Sequence, residues 1–323
     1  MLKTVLLMDP IAAEGEAFLS KSAAVVRAPD TAPDTIRRLA KDADGIIIRS
    51  KLPDDIFEAA PRVKAVAIHG TGTDLVPLAS ASRRGVVVSN LPGANAQSVA
   101  EYCVMAMLML ARNIVAITAA MRTKPWDEAR KGAVPAAELE GTTVGIVGVG
   151  EIGGRVAKIC RRGFGMRVLG TQRRLDRLPP DAEGVPFEKL MRESDFVVIA
   201  CPLNKDTHHL VNEKTLRLMK PTAWLVNVGR GAVIDERSLI LALKEKRIAG
   251  AMLDVYENYQ IAPGHELFKL DNVILTPHLA GGTVASRARA SVAAAGEMLR
   301  MLAGERPINL VNPEALDARA ANH

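Results

Sequence analysis

The sequence predicts an α/β protein made of two doubly wound parallel sheets. Short β-branched runs alternate with helical stretches along most of the chain, and they fall into two sets separated by a Pro- and charge-rich stretch. Continuous apolar strands, rather than alternating ones, are the pattern of a parallel sheet covered on both faces. At 323 residues the chain is also longer than one hydrophobic core usually supports.

The first set of strands is expected at residues 4–8, 24–27, 45–49, 63–68 and 86–89. A long helix over 98–122 follows, then a linker over 124–141 that is rich in Pro and charge. The second set is expected at 144–147, 167–169, 196–200, 223–227, 250–253 and 273–275. The Ala-rich run 283–302 has few breakers and reads as a helix, with irregular chain over 304–312. Two long helices flanking the second set suggest a hinge through which the C-terminal part returns to the first domain.

With 48% hydrophobic and 24% charged residues, the composition is that of a soluble globular protein. The net charge of +6 invites a nucleic-acid reading, but residues 155–177 hold eight bases against one acid, so the other 300 residues are near neutral. Aromatics are 3%, too few for a base-stacking platform. Neither a nucleic acid nor a membrane is expected as a partner. The apolar segment 102–121 is about membrane-spanning length, yet Arg112 stands at its middle, which favours a buried or subunit-interface helix. Cys103, Cys160 and Cys201 have neither metal-ligand nor disulfide spacing, so no metal is expected and a reducing, cytoplasmic setting is. The N-terminus has no signal-peptide core.

The segment Val147-Gly148-Val149-Gly150-Glu151-Ile152-Gly153 is a Gly-x-Gly-x-x-Gly loop between an expected strand and helix. In that context each glycine has a role in dinucleotide binding: Gly148 for the tight turn, Gly150 for close approach of the pyrophosphate, Gly153 for helix–sheet packing. The following helix presents free amides to the phosphates, with Glu151 and Ile152 in its first turn. About 20 residues on, where an acid would hold the ribose hydroxyls of NAD, stand Gln172, Arg173 and Arg174. Without a carboxylate to repel a 2′-phosphate, and with two guanidiniums to bind it, NADP is the expected cofactor and NAD the alternative. The bland alternative is that the arginines form a solvated loop. Arg155, Lys158 and Arg162, at helical spacing, are expected on a solvated outer face.

Together with that loop, five further segments resemble the D-isomer-specific 2-hydroxyacid dehydrogenase family. They are Gly70-Thr-Gly72-Thr-Asp74, Asn95-Ala-Gln-Ser98-Val-Ala-Glu101, Asn227-Val-Gly-Arg230-Gly231, Leu253-Asp254-Val255 and Thr276-Pro277-His278-Leu-Ala-Gly281. The resemblance spans about residues 45–312 and is strongest for the glyoxylate/hydroxypyruvate reductase-like branch. It implies a flavodoxin-like substrate domain (1–98 and 284–323), a Rossmann coenzyme domain (99–283), a cleft between them, and a homodimer gripped through the coenzyme domain. It further implies substrate contacts at Ser50, Thr71 and Gly72, and coenzyme contacts at Val99, Cys201, Pro202, Thr207, Val228, Asp254 and Gly281. Lys51 either selects a phosphate or second carboxylate, or is a solvated loop lysine.

The chemistry is coherent on its own terms. Reducing a 2-oxo acid needs a cation for the carboxylate and keto oxygen and an acid to protonate that oxygen. Arg230, at a strand end, offers the bidentate fork, and His278, also past a strand end, can supply the proton near neutral pH. His208 and His209 fall in a loop, and His69 precedes the Gly70 loop, where a substrate-facing role is open.

One departure stands out. The family places a glutamate five residues after the aspartate, followed by proline, to pair with the histidine; here those positions are Tyr259 and Gln260. Glu257, Glu266 or Gln260 remain as candidate partners, with Tyr259 at the family position itself. A neutral partner would leave the imidazolium without charge support, shifting the activity maximum for ketone reduction toward acid.

The expected function is reduction of a small 2-oxo acid, of the glyoxylate or hydroxypyruvate type, to the D-2-hydroxy acid with NADPH preferred. The alternatives are a D-3-phosphoglycerate dehydrogenase-like enzyme and a catalytically weak coenzyme-sensing protein, which the missing glutamate keeps open; both Arg230 and His278 being present argues for catalysis. Short-chain reductases are excluded by motif, because Tyr102, Tyr256 and Tyr259 are followed four residues later by Ala106, Gln260 and Pro263, never by lysine.

Overall fold

The structure, a computed structural model, describes residues 2–131, 136–258 and 260–321. It divides into two compact units, residues 1–95 with 282–323, and residues 96–281.

The first unit is built on five strands: β1 (Lys3–Leu7), β2 (Ala23–Arg27), β3 (Gly45–Ile48), β4 (Ala65–Ile68) and β5 (Val87–Ser89). All are parallel, in the order β2-β1-β3-β4-β5, the flavodoxin-like winding. Strands β3 and β4 are buried along their whole length, as an unbroken run of Ile, Val, Ala and Gly requires. Helix Val284–Leu302 packs against β3 and β4, and against helix Ala13–Leu19, so both ends of the chain belong to this unit. Its start is fixed by Thr283, whose hydroxyl accepts the Ser286 N–H at 3.1 Å. The expected irregular segment beyond it ties back to the sheet: Asn312 accepts the Val88 N–H at 2.8 Å and donates to the Val86 carbonyl at 2.9 Å.

The second unit carries seven parallel strands: β6 (Thr143–Val147), β7 (Arg167–Thr171), β8 (Glu183–Gly184), β9 (Phe196–Ile199), β10 (Trp224–Asn227), β11 (Gly250–Leu253) and β12 (Val273–Leu275). Their order, β12-β11-β10-β9-β6-β7-β8, reverses direction between β6 and β9. That reversal is the topological switch point at which open α/β sheets bind ligands beyond the strand C-termini.

Three expectations need correction. The single helix over 98–122 is two helices, Ala96–Ala111 and Ile114–Thr123, bent by 55°. The break lies at Asn113, whose φ of 48° is left-handed, a conformation Asn tolerates better than most residues. The first helix is largely buried while the second buries none of its side chains, so only the first serves as a core helix. Among the described residues no single helix is long and apolar enough to cross a membrane; this bent pair passes only when its halves are joined. The linker also contains a helix, Trp126–Lys131, and its residues 132–135 lie outside the described residues. The two-residue β8 and the helix Glu314–Ala321 were not anticipated.

Candidate active site

The glycine loop leaves β6 at the switch point. Gly148 has φ +93°, and a Cβ there would stand 2.6 Å from the Cys201 backbone nitrogen. The turn thus needs glycine twice over, for its handedness and for its contact with Cys201, two residues past β9. At Gly153 a Cβ would lie 2.2 Å from the Gly148 carbonyl oxygen, so helix Glu151–Phe164 can start only if that position is bare. Gly150 is different: a Cβ would meet nothing within 4 Å. Glu151 is exposed, Ile152 half-buried, and the helix beyond buries Val156, Ala157 and Cys160. Cys201 is itself buried, which pushes its thiol up to about 11. In the loop after it, the Thr207 hydroxyl donates to the Pro202 carbonyl at 2.7 Å. Val99 is a buried member of the core under this sheet.

Past β7, Gln172 donates its side-chain amide to the Arg174 carbonyl at 2.8 Å. The two arginines that follow are not equivalent, contrary to the expectation that both stand available. Arg174 donates to the Asp176 carboxylate at 2.8 and 3.3 Å, and that pairing lowers the Asp176 pKa. Arg173 is exposed and makes no ion pair among the described residues. Asp176, two residues beyond Arg174, is the neighbour that a count of charges alone could not assign. On the outer face, Arg162 forms a two-point pair with Asp181, at 2.8 and 3.1 Å.

Arg230 lies just past β10, half-buried, and its Nη1 donates to the Gly229 carbonyl at 3.0 Å. The loop carrying it is braced by Asn227, a buried side chain that accepts the Gly229 N–H at 3.1 Å and donates to the Arg230 carbonyl at 3.2 Å. Gly231 is pressed against the Tyr256 carbonyl so closely that any Cβ there would overlap it. Val228 is half-buried in the same loop.

His278 is exposed, three residues past the end of β12, with φ +54°. A non-glycine residue held left-handed marks a locally over-determined backbone. Asp254, which is 1% exposed, braces it. Its main-chain carbonyl accepts the His278 N–H at 2.9 Å. Its Oδ1 accepts the Leu279 N–H at 2.8 Å and the Thr276 hydroxyl at 2.6 Å, and its Oδ2 accepts the Ala280 N–H at 2.8 Å. The aspartate expected at the coenzyme thus has both carboxylate oxygens engaged by the histidine turn. Gly281 closes that turn, half-buried.

Two of the candidate partners of His278 are engaged elsewhere. Glu257 accepts from His209 Nε2 at 2.9 Å and from the Glu236 N–H at 3.2 Å. Glu266 pairs with Lys244 and, at 2.7 Å, with Lys269, which together hold its pKa down at about 2. Gln260 is exposed and makes no hydrogen bond among the described residues; Tyr259 lies outside them. His208 stacks on His209 with ring centroids 3.9 Å apart.

In the first unit, Asp9 pins the loop after β3. Its carboxylate accepts the Arg49 and Ser50 amides at 2.7 and 2.9 Å and the Ser50 hydroxyl at 2.6 Å. Lys51 pairs locally with Asp54 at 3.3 Å. The loop after β4 is tied down by Thr71, whose hydroxyl donates to the Leu91 carbonyl at 3.2 Å, and by Asn90, which donates to the Thr71 carbonyl at 2.7 Å. Gly72 is half-buried beside it. His69, for which a substrate-facing role was open, has its Nε2 2.8 Å from the Ser291 hydroxyl, and burial pushes its pKa down to about 4. Neither this histidine's partner nor the contact of the Tyr102 phenol with the Thr276 hydroxyl, at 2.5 Å, is readable from the sequence, because each joins segments far apart in the chain.

A glycine loop at the switch point, with a cation past the end of β10 and an imidazole past the end of β12 in the same sheet, defines the class: a dinucleotide-dependent oxidoreductase. Comparison with known proteins sharpens this. Residues 104–280 match the D-isomer specific 2-hydroxyacid dehydrogenase, NAD binding domain, family. The glyoxylate reductase of Thermofilum pendens is 38% identical over 297 residues, covering 90% of this chain and 87% of its own. That of Pyrococcus furiosus is 39% identical over 290 residues, covering 86% and 85%. An NADPH-dependent glyoxylate/hydroxypyruvate reductase from Sinorhizobium meliloti, solved with NADP and malonate, superposes with a TM-score of 0.85 at 28% identity, over 98% of both chains. The chain belongs to the D-isomer specific 2-hydroxyacid dehydrogenase family, in its glyoxylate/hydroxypyruvate reductase-like branch. It is an NAD(P)-dependent oxidoreductase of the kind that reduces small 2-oxo acids to D-2-hydroxy acids.

Proposed function

We propose that this enzyme reduces glyoxylate or hydroxypyruvate, with NADPH as the preferred coenzyme. The observation that carries the coenzyme preference is Arg173, an exposed guanidinium with no ion pair among the described residues, at the end of the strand where an acid would favour NAD. The loop suits a pyrophosphate: Gly150 is bare where no protein atom demands it, and the helix start beyond it offers free amides. Relatives that act on glyoxylate support the substrate class.

When bound, the reduced coenzyme supplies the hydride. Arg230 holds the carboxylate and keto oxygen, stabilising the negative charge that builds on that oxygen. The His278 imidazolium gives its proton to the same oxygen, which becomes the hydroxyl, and the imidazole is left neutral. An Arg230→Gln variant should lose about 10²–10³-fold in kcat/KM for glyoxylate, and His278→Asn at least about 10²-fold. Parent-like rates in either variant would remove this mechanism.

The exposed apolar side chains Ile114, Val115 and Met121, with Met105 and Leu108 nearby in sequence, support a homodimer. Sedimentation velocity checks it. A cytoplasmic location is in keeping with three buried, unbridged thiols.

A further inference from the structure

Thr276 is contacted by two tyrosines. The Thr276 hydroxyl donates its proton to Asp254 Oδ1 at 2.6 Å, so the Tyr102 phenol, 2.5 Å from Thr276 Oγ1, is the donor in its contact with that hydroxyl. Tyr256 donates to the Thr276 carbonyl at 2.8 Å. Tyr102 sits on helix Ala96–Ala111 and is 6% exposed. Burial raises the pKa of both phenols, that of Tyr256 to about 12, so both remain donors across the working pH range.

We infer that Tyr102 is a positioning residue for His278, acting through the donor chain Tyr102 to Thr276 to Asp254. The Asp254 carboxylate accepts two consecutive amides of the turn and one hydroxyl. With the phenol in place, the Thr276 hydroxyl is satisfied as acceptor and is polarised toward the carboxylate. Without the phenol, a part-buried acceptor lone pair is left empty, and the hydroxyl gains other rotamers at the expense of Asp254. The turn then has less to hold His278 at φ +54°, a conformation its own side chain disfavours. A core tyrosine more than 170 residues away in the chain thereby shares control of where the imidazole stands.

The inference rests on the reading of His278 as proton donor, so its test has two independent readouts. The variants are Tyr102→Phe, Thr276→Val and Thr276→Ser, each made in the full chain with coenzyme bound. Hydrogen exchange of the Leu279 and Ala280 amides should quicken by about tenfold in Tyr102→Phe and Thr276→Val, and return to the parent rate in Thr276→Ser. Turnover should follow: kcat for glyoxylate falls about tenfold in the first two, with the coenzyme Kd unchanged, and recovers in the serine variant. Exchange that stays at the parent rate in Tyr102→Phe, or quickened exchange with unchanged kcat, overturns the inference. Parent-like turnover in His278→Asn would instead sink the proton-donor reading, and the exchange rates would still decide whether the chain holds the turn.

Discussion

His278 and Asp254 are joined through the backbone: the His278 N–H donates to the Asp254 carbonyl at 2.9 Å, and the aspartate side chain takes the next two amides. A carboxylate that accepts N–H groups from both following residues fixes the turn more firmly than any neutral side chain of its size. Asp254→Asn would set a donor NH2 group against an N–H of the turn. It should lower kcat about 10- to 100-fold, from the loss of one or two charge-assisted bonds at about 1.5–3 kcal/mol each. Steady-state kinetics alongside calorimetry check this, and the midpoint of unfolding should fall as well.

The asymmetry between the two arginines gives opposite expectations for neighbouring substitutions. Arg173→Ala should raise the KM for NADPH by about 10- to 100-fold and leave that for NADH within about twofold, since only the 2′-phosphate is lost as partner. Asp176→Asn frees Arg174 from its ion pair and should tighten NADPH binding by a few-fold. Fluorescence titration of both coenzymes against each variant reads the two effects directly.

His69 makes stability depend on pH in a definite direction. Its pKa is about 4 in the folded state because burial, and then the charge of Arg49, disfavour the imidazolium, against about 6.5 when unfolded. Ser291 donates its own proton to the Arg287 carbonyl at 2.7 Å, so His69 must donate from Nε2 as the neutral tautomer. Below pH 6.5 the unfolded chain binds a proton that the folded chain refuses. Stability is therefore complete above about pH 6.5 and falls as pH drops toward 4, by up to about 3 kcal/mol before solvent screening. Urea unfolding at pH 7.5 and 4.5 should show the loss, and His69→Gln should reduce it.

What the sequence made legible was whatever depends on local pattern. Strand runs such as Ile46-Ile47-Ile48 and Val197-Val198-Ile199 are buried on both faces and announce a parallel sheet by composition alone. The Gly148 loop is similarly local, because its glycines answer to one turn and one helix start. The break at Asn113 was hidden because both sides of it are apolar and helix-forming, and only Arg112 and the left-handed Asn113 separate them. The role of Asp254 was hidden for another reason: a carboxylate with both oxygens inside the protein looks, in sequence, the same as one facing a ligand. The contacts of Glu257 with His209 and of Arg174 with Asp176 likewise depend on loop shape rather than on residue type.

The proposed activity is reduction of glyoxylate or hydroxypyruvate with NADPH preferred. Initial rates on glyoxylate, hydroxypyruvate, pyruvate and phosphohydroxypyruvate, each with NADPH and with NADH, test it most directly. The highest kcat/KM should fall on glyoxylate or hydroxypyruvate with NADPH. A preference for NADH, or for phosphohydroxypyruvate, would contradict it.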